Sequence, residues 1–566
     1  MVSCHSGLIR PVRGFILWPA VLAVLLIAAG AGAFFYFMKH RAHSLAAEAR
    51  ASLQNNELRY ALLQAESARR LRPADPVVLR SLAATQFAAG DAQSLDTWQR
   101  ISELDRLSLR DLREKTVAAA RFADEEKFGE VLRQLGPEAP LGEVPAWRGR
   151  RALLRRDYAA AENHLRAAVE ADPASLEYNL ELARFLTVVG SPEALAEAAL
   201  IVGRLADGPE GQAALAFGLQ SVPAGPATRR AWAERALSAP APGNPALLPA
   251  ATVMIEDRHR SLDEMVAQLN GVFLEAPLAQ RENYARWLSE KNRPGDTLSF
   301  IFPDEARSSR TAFLVRAEAL SSVGDWHGLA DLVKAGSPVS EPVTFLLRAR
   351  ADWNLGRKTS ARIHWGRAIR AAVPRVILAE TLEQVDKAGQ QELADETLLE
   401  LCGEPSSAEY ALRVARWRFT QRGEPRLRQE ALRRVVASST RSTIVADADR
   451  QQRLLAGKKV NPEETGRALA EAPAEIDFRL THALALLSAG RPAEARLALG
   501  PCEPLKNQLL PAQKAIVAAV LGGSGSSSEA INLVRTINPA HLTDGEYLLI
   551  YRYTVPAMTE NSRGKN

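Results

Sequence analysis

From residue 42 onward the chain has one texture: apolar residues recur at helical spacing, with short breaks of Gly, Asp, Pro or Asn between them. That spacing gives each segment one apolar stripe along a helix. No stretch alternates with period two for long enough to propose a strand, so the pattern predicts an all-α chain. In the C-terminal half the breaks fall at Gly324, Gly356, Gly389, Gly423, Gly457 and Gly490, and another follows at Gly525. Their separations stay close to 34 residues. The same step separates Asn56 from Gly90, and Arg156 from Gly190. A fixed period of this length is the mark of a stacked repeat.

Each position has a physical reason. A helix of about four turns ends at Gly because glycine takes the left-handed closing conformation without steric cost. A second helix then packs antiparallel on the first. Gly149, Ala317 and Ala349, seven before their turns, let the two backbones approach. Ala361 and Ala368 do the same from the second helix, with Trp365 between them as the large filler. Such a pair leaves an apolar face uncovered and is stable only when stacked on a neighbour.

The spacing and residue types resemble the tetratricopeptide repeat. The best single unit is GRRALLRRDYAAAENHLRAAVEADP, in which Gly149, Asp157, Tyr158, Ala161, Leu165, Ala168 and Pro173 match the family pattern. Arg156 stands where glycine is usual. A first unit carries Ala49, Ala61, Ala65, Ala68 and Pro73, followed by Leu82, Ala83, Gly90 and Asp91. The resemblance implies a right-handed superhelical solenoid of antiparallel helix pairs, with about 12 to 15 units in the length available. It covers 42–205 and 308–540; between them the pattern degenerates, and NRPGDTLSFIFPDEAR (292–307) reads as a linker or an insertion.

The N-terminus departs from this texture. Residues 14–38 form a run of twenty-five without a charge, flanked by Arg10 and Arg13 before it and by Lys39, His40 and Arg41 after it. As a helix it would be about 37 Å long, against a hydrocarbon core of roughly 30 Å. Trp18 near one boundary and Phe34 to Phe37 at the other fit the aromatic belts. The expectation is one transmembrane helix before the solenoid. The expected layout is then a tail (1–13), the span (14–38), N-terminal repeats (39–205), degenerate repeats with a linker or insertion (206–307), C-terminal repeats (308–540), and a cap with a tail (541–566). The expected location is the bacterial inner membrane, single-pass, with a periplasmic body favoured over a cytoplasmic one; Lys and Arg counts do not decide between them.

Charge and cysteines change little. The formal net charge of +5 falls to +1 once residues 1–41 are set aside, so the basic pI marks no nucleic-acid footprint and nucleic acid is not an expected partner. Three cysteines, Cys4, Cys402 and Cys502, imply no disulfide framework.

Candidate chemistry is sparse. His40 and His43 are three apart but lack the further ligands of a metal site, and His5, His164, His259, His327, His364, His482 and His541 are isolated in sequence. LLAGKKVNPEE lacks the spaced glycines and the hydroxyl residue of a phosphate loop, and GGSGSSS reads as a flexible turn. No HExxH, CxxC or GxSxG motif occurs. No catalytic, cofactor-binding or metal residue is assigned, and neither a cofactor nor a small-molecule substrate is expected.

The resemblance implies a concave groove for a partner protein or peptide. Arg150, Arg348, Arg350 and Arg416, on first helices, are its candidate lining, and an Arg-rich strip would favour acidic tails or carboxylate ends. The expected role is a non-enzymatic, membrane-anchored scaffold or adaptor in assembly, quality control or export at the bacterial envelope. Two alternatives stand beside it. One is a helical-repeat regulatory subunit of a membrane enzyme, or an enzyme with an unrecognised site. The other is a cytoplasm-facing nucleic-acid or regulatory helical-repeat protein.

Overall fold

A computed structural model describes residues 17–54, 57–438, 442–471, 473, 475–506 and 508–563. The chain divides into two compact units, Met1–Phe302 and Pro303–Asn566. Among the described residues every regular element is a helix, and consecutive helices pair antiparallel to make an all-α helical-repeat solenoid.

In the second unit the helix pairs turn at glycines. Gly324, Gly356, Gly389, Gly423, Gly457, Gly490 and Gly525 have φ between +68° and +95°. The next residue's N–H (Asp325, Arg357, Gln390, Glu424, Lys458, Arg491, Ser526) donates to the carbonyl five residues earlier, at 2.8 to 3.2 Å. This is the helix-ending bond that needs a left-handed residue before it. In the first unit Arg156 holds the same place at φ 61°, and Asp157 N–H reaches Ala152 O at 2.9 Å. A non-glycine residue there costs about 1 kcal/mol, which the packing of the flanking helices offsets.

The small residues sit where backbones meet. A Cβ added at Gly149, on Glu143–Leu154, would come within 2.8 Å of the Leu165 side chain on Tyr158–Ala171. Ala349, Ala361 and Ala368 are fully buried around Trp365, whose ring lies 5.3 Å from that of Trp353. From there one apolar cluster runs through Leu382, Leu398, Leu412 and Val435 to Ala448, and a second runs from Leu454 to Tyr553.

The first unit ends with 292–302. The short helix Pro294–Leu298 packs on Leu278–Glu290. Tyr284 stacks on Phe273 at 4.5 Å and meets Phe300 edge-on at 4.8 Å. Arg281 donates to Ala276 O at 2.8 Å and Phe300 O at 3.1 Å. Residues 294–300 thus pack on the last long helix of the first unit.

The expected membrane anchor is corrected. Among the described residues no helix is long and apolar enough to cross a membrane. The helix that contains most of the apolar run, Leu17–Gln54, is continuous and becomes the first helix of the first pair. Its Ala42, Leu45 and Ala46 are buried with Ala68 and Val78, and its Ala49 with Ala65 and Leu82. The span at 14–38, the single-pass bacterial membrane assignment and the inner-membrane placement are withdrawn with it. The helical-repeat part of the resemblance remains. The tail 1–13 with Cys4 and His5, the side chain of Trp18, and the turn at Asn56 lie outside what is described.

Candidate functional site

The second unit encloses a hollow of about 450 Å³ between helices far apart in sequence. Ala408–Gln421 supplies Leu412, Arg413, Arg416, Trp417 and Thr420; Pro425–Ala437 supplies Arg428, Gln429 and Leu432. Thr443–Leu455 turns Ile444, Asp447, Gln451 and Leu455 to it, residues three or four apart and hence on one face. Glu475, Asp477, Phe478, Leu510 and Gln513 complete one side.

The last helix, Asp544–Arg563, forms the remaining wall through Asp544, Gly545, Glu546 and Leu548. Its seat is specific. Glu546 forms a buried ion pair with Arg428, 118 positions earlier, and accepts from Thr543 N–H at 2.8 Å. Arg428 also donates to Thr420 Oγ1 at 3.1 Å, and burial holds its pKa below the ordinary arginine value. Two glycines make room: a Cβ at Gly545 would lie 2.9 Å from Leu455 O, and one at Gly423 2.6 Å from the His541 ring.

The lining mixes apolar anchors with charge. Trp417 is 53% exposed and Leu548 70% exposed, both at the hollow. Arg416 pairs with Asp477 at 3.0 Å and donates to Gln451 at 3.1 Å. Asp447 is buried; its Oδ2 accepts from Thr481 Oγ1 at 2.9 Å, whereas its Oδ1 has no hydrogen-bond partner among the described residues. Burial pushes this carboxyl up to about 7, with Asp477 adding to the effect and the Thr481 bond opposing it.

Of the four candidate arginines, Arg150 lies in the first unit and Arg348, Arg350 and Arg416 in the second. Arg150, in the first unit, lies 4.3 Å over the Trp147 ring and donates to Glu181 at 2.7 Å and Glu177 at 2.6 Å. Arg348 and Arg350 sit on Glu341–Asn354, the first half-buried, the second exposed and 5.7 Å over Trp326. Arg416 is the member that lines the hollow. Arg150 and Arg416 thus already hold carboxylates.

Other residues singled out by sequence have local roles. His43 Nε2 lies 2.9 Å from Asp75 Oδ2, and no group of three or more metal-ligating side chains occurs among the described residues. His364 Nδ1 lies 2.9 Å from Asp352 Oδ2, the same oxygen that accepts from Ser360 Oγ at 2.7 Å. With the carboxylate between serine and histidine, the order needed for serine activation is broken. Burial raises the pKa of both described thiols, Cys402 to about 12, which disfavours the thiolate form.

Trp417, Asp447, Glu546 and Leu548 were not singled out by sequence. The 3-and-4 spacing of Ile444, Asp447 and Gln451 was a usable signal, because it puts a carboxylate on one helix face with its neighbours. The Arg428–Glu546 contact left no local trace.

The fold and hollow define a class, the all-α helical-repeat solenoid. No known family matches the sequence, and no curated protein does. Among solved structures, one similar chain comes from the APC/C hetero-tetramer Cut9–Hcn1, at 13% identity and a TM-score of 0.26, covering 88% of this chain and 97% of that one. Another comes from Naa15/Naa10 bound to HypK-THB, at 14% identity and a TM-score of 0.19, covering 90% and 70% respectively. Likeness at that level carries nothing about function.

Proposed function

We propose that this chain is a non-enzymatic helical-repeat scaffold or regulatory subunit that binds a segment of a partner protein in the hollow of its second unit. The observation that carries it is the pair of large apolar side chains, Trp417 and Leu548, left exposed on walls of one hollow whose lining arginines are paired with carboxylates. Aromatic anchors at a concave, partly apolar surface are what protein recognition uses. The Ser360–Asp352–His364 order and the buried thiols speak against nucleophilic chemistry at those residues. The proposal carries no membrane attachment.

The test is site-specific photocrosslinking in the native cell, from benzoylphenylalanine placed at Trp417 and, as control, at Leu200, which is exposed in the first unit. The expected outcome is a discrete protein adduct from position 417, absent from position 200 and lost when Leu548→Glu is added. Identical adducts from both positions, or none from 417, would overturn the reading.

A further inference from the structure

We propose that the hollow of the second unit selects a lysine or arginine side chain of the bound segment, with the Asp447 carboxylate receiving its charge. This rests on the reading of the hollow as a segment-binding site. Three arginines and five carboxylates line it. Arg413 lies 3.4 Å from Glu475, Arg416 3.0 Å from Asp477, and Arg428 is paired with Glu546. Each lining arginine therefore has a carboxylate beside it, and the remaining charge is negative. Complementarity calls for a cationic guest.

Asp447 marks where that cation goes. It is 2% exposed, it sits mid-face on its helix between Ile444 and Gln451 at the hollow, and its Oδ1 has no donor among the described residues. A buried carboxylate oxygen without a donor is costly to keep. An ammonium or guanidinium supplies both the missing donor and the missing charge. The exposed Trp417 face gives a site for the methylene stem, or for the cation on its way in. An acidic guest finds no unpaired cation in this lining.

The experiment uses the full chain and fluorescein-labelled peptides of sequence Leu-Ala-X-Ala-Leu, where X is lysine, norleucine or glutamate, read by fluorescence anisotropy. The lysine peptide is expected to bind about tenfold tighter than the norleucine peptide, with glutamate weakest. Asp447→Asn keeps the side-chain shape and removes a buried charge. It is expected to bring lysine and norleucine within about twofold of each other. Equal lysine and norleucine binding by the unaltered chain, or a lysine preference that survives Asp447→Asn, would overturn the charge assignment and leave segment binding standing. Failure of all three peptides to bind would overturn both.

Discussion

At the scale of single residues, Asp447 is the most informative. Burial raises its carboxyl to about 7 in the folded chain, against 3.8 in the ordinary state. The folded state thus holds the proton more tightly than the unfolded state. This group therefore favours folding below about pH 4, and that contribution is lost as pH rises toward 7. Asp447→Asn should stabilise the chain by about 1–4 kcal/mol at pH 8, and by less than half as much at pH 5. Urea midpoints at the two pH values check this; an equal effect at both would mean that the carboxyl ionises freely in the fold. At this scale sequence was readable where local geometry decides. The turn glycines and the small residues at close approaches follow from backbone sterics alone. The spacing places Asp447 on one face with Ile444 and Gln451, but its burial was not readable, because that depends on residues outside its own helix such as Thr481.

At the scale of elements, the two ends of the chain teach opposite lessons. The apolar run at 14–38 had the length and flanks of a membrane span, yet the helix continues to Gln54 and packs Ala42, Leu45, Ala46 and Ala49 into the first repeat. Hydropathy alone weighs a segment by itself and does not register that its helix goes on into a packed pair. At the other end, 541–566 read as a cap and a tail, and the helix Asp544–Arg563 proves to wall the hollow. Its seat depends on the Arg428–Glu546 pair, in which both side chains are buried. Glu546→Ala leaves Arg428 charged and unpaired, and should destabilise the last helix by about 3–5 kcal/mol. Replacing both together with Arg428→Met and Glu546→Leu should cost much less. Hydrogen exchange over 544–554 reads the difference; equal protection in the single and double variants would show that the pair does not hold the helix.

At the scale of the whole molecule, the repeat architecture was legible because a 34-residue period is written many times over, so that local noise averages out. The hollow was not, since it is made by side chains from six stretches spread over 412–548. The candidate arginines illustrate the gap: a first-helix position predicts a groove-facing place, but not the carboxylate that already occupies Arg150 or Arg416. The most direct test of segment binding in the second unit is hydrogen exchange of the full chain with and without saturating lysine peptide. Slower exchange is expected in 408–421, 443–455 and 544–554, with the first unit unchanged. Protection confined to the first unit, or absent from those three helices, would contradict the proposed site.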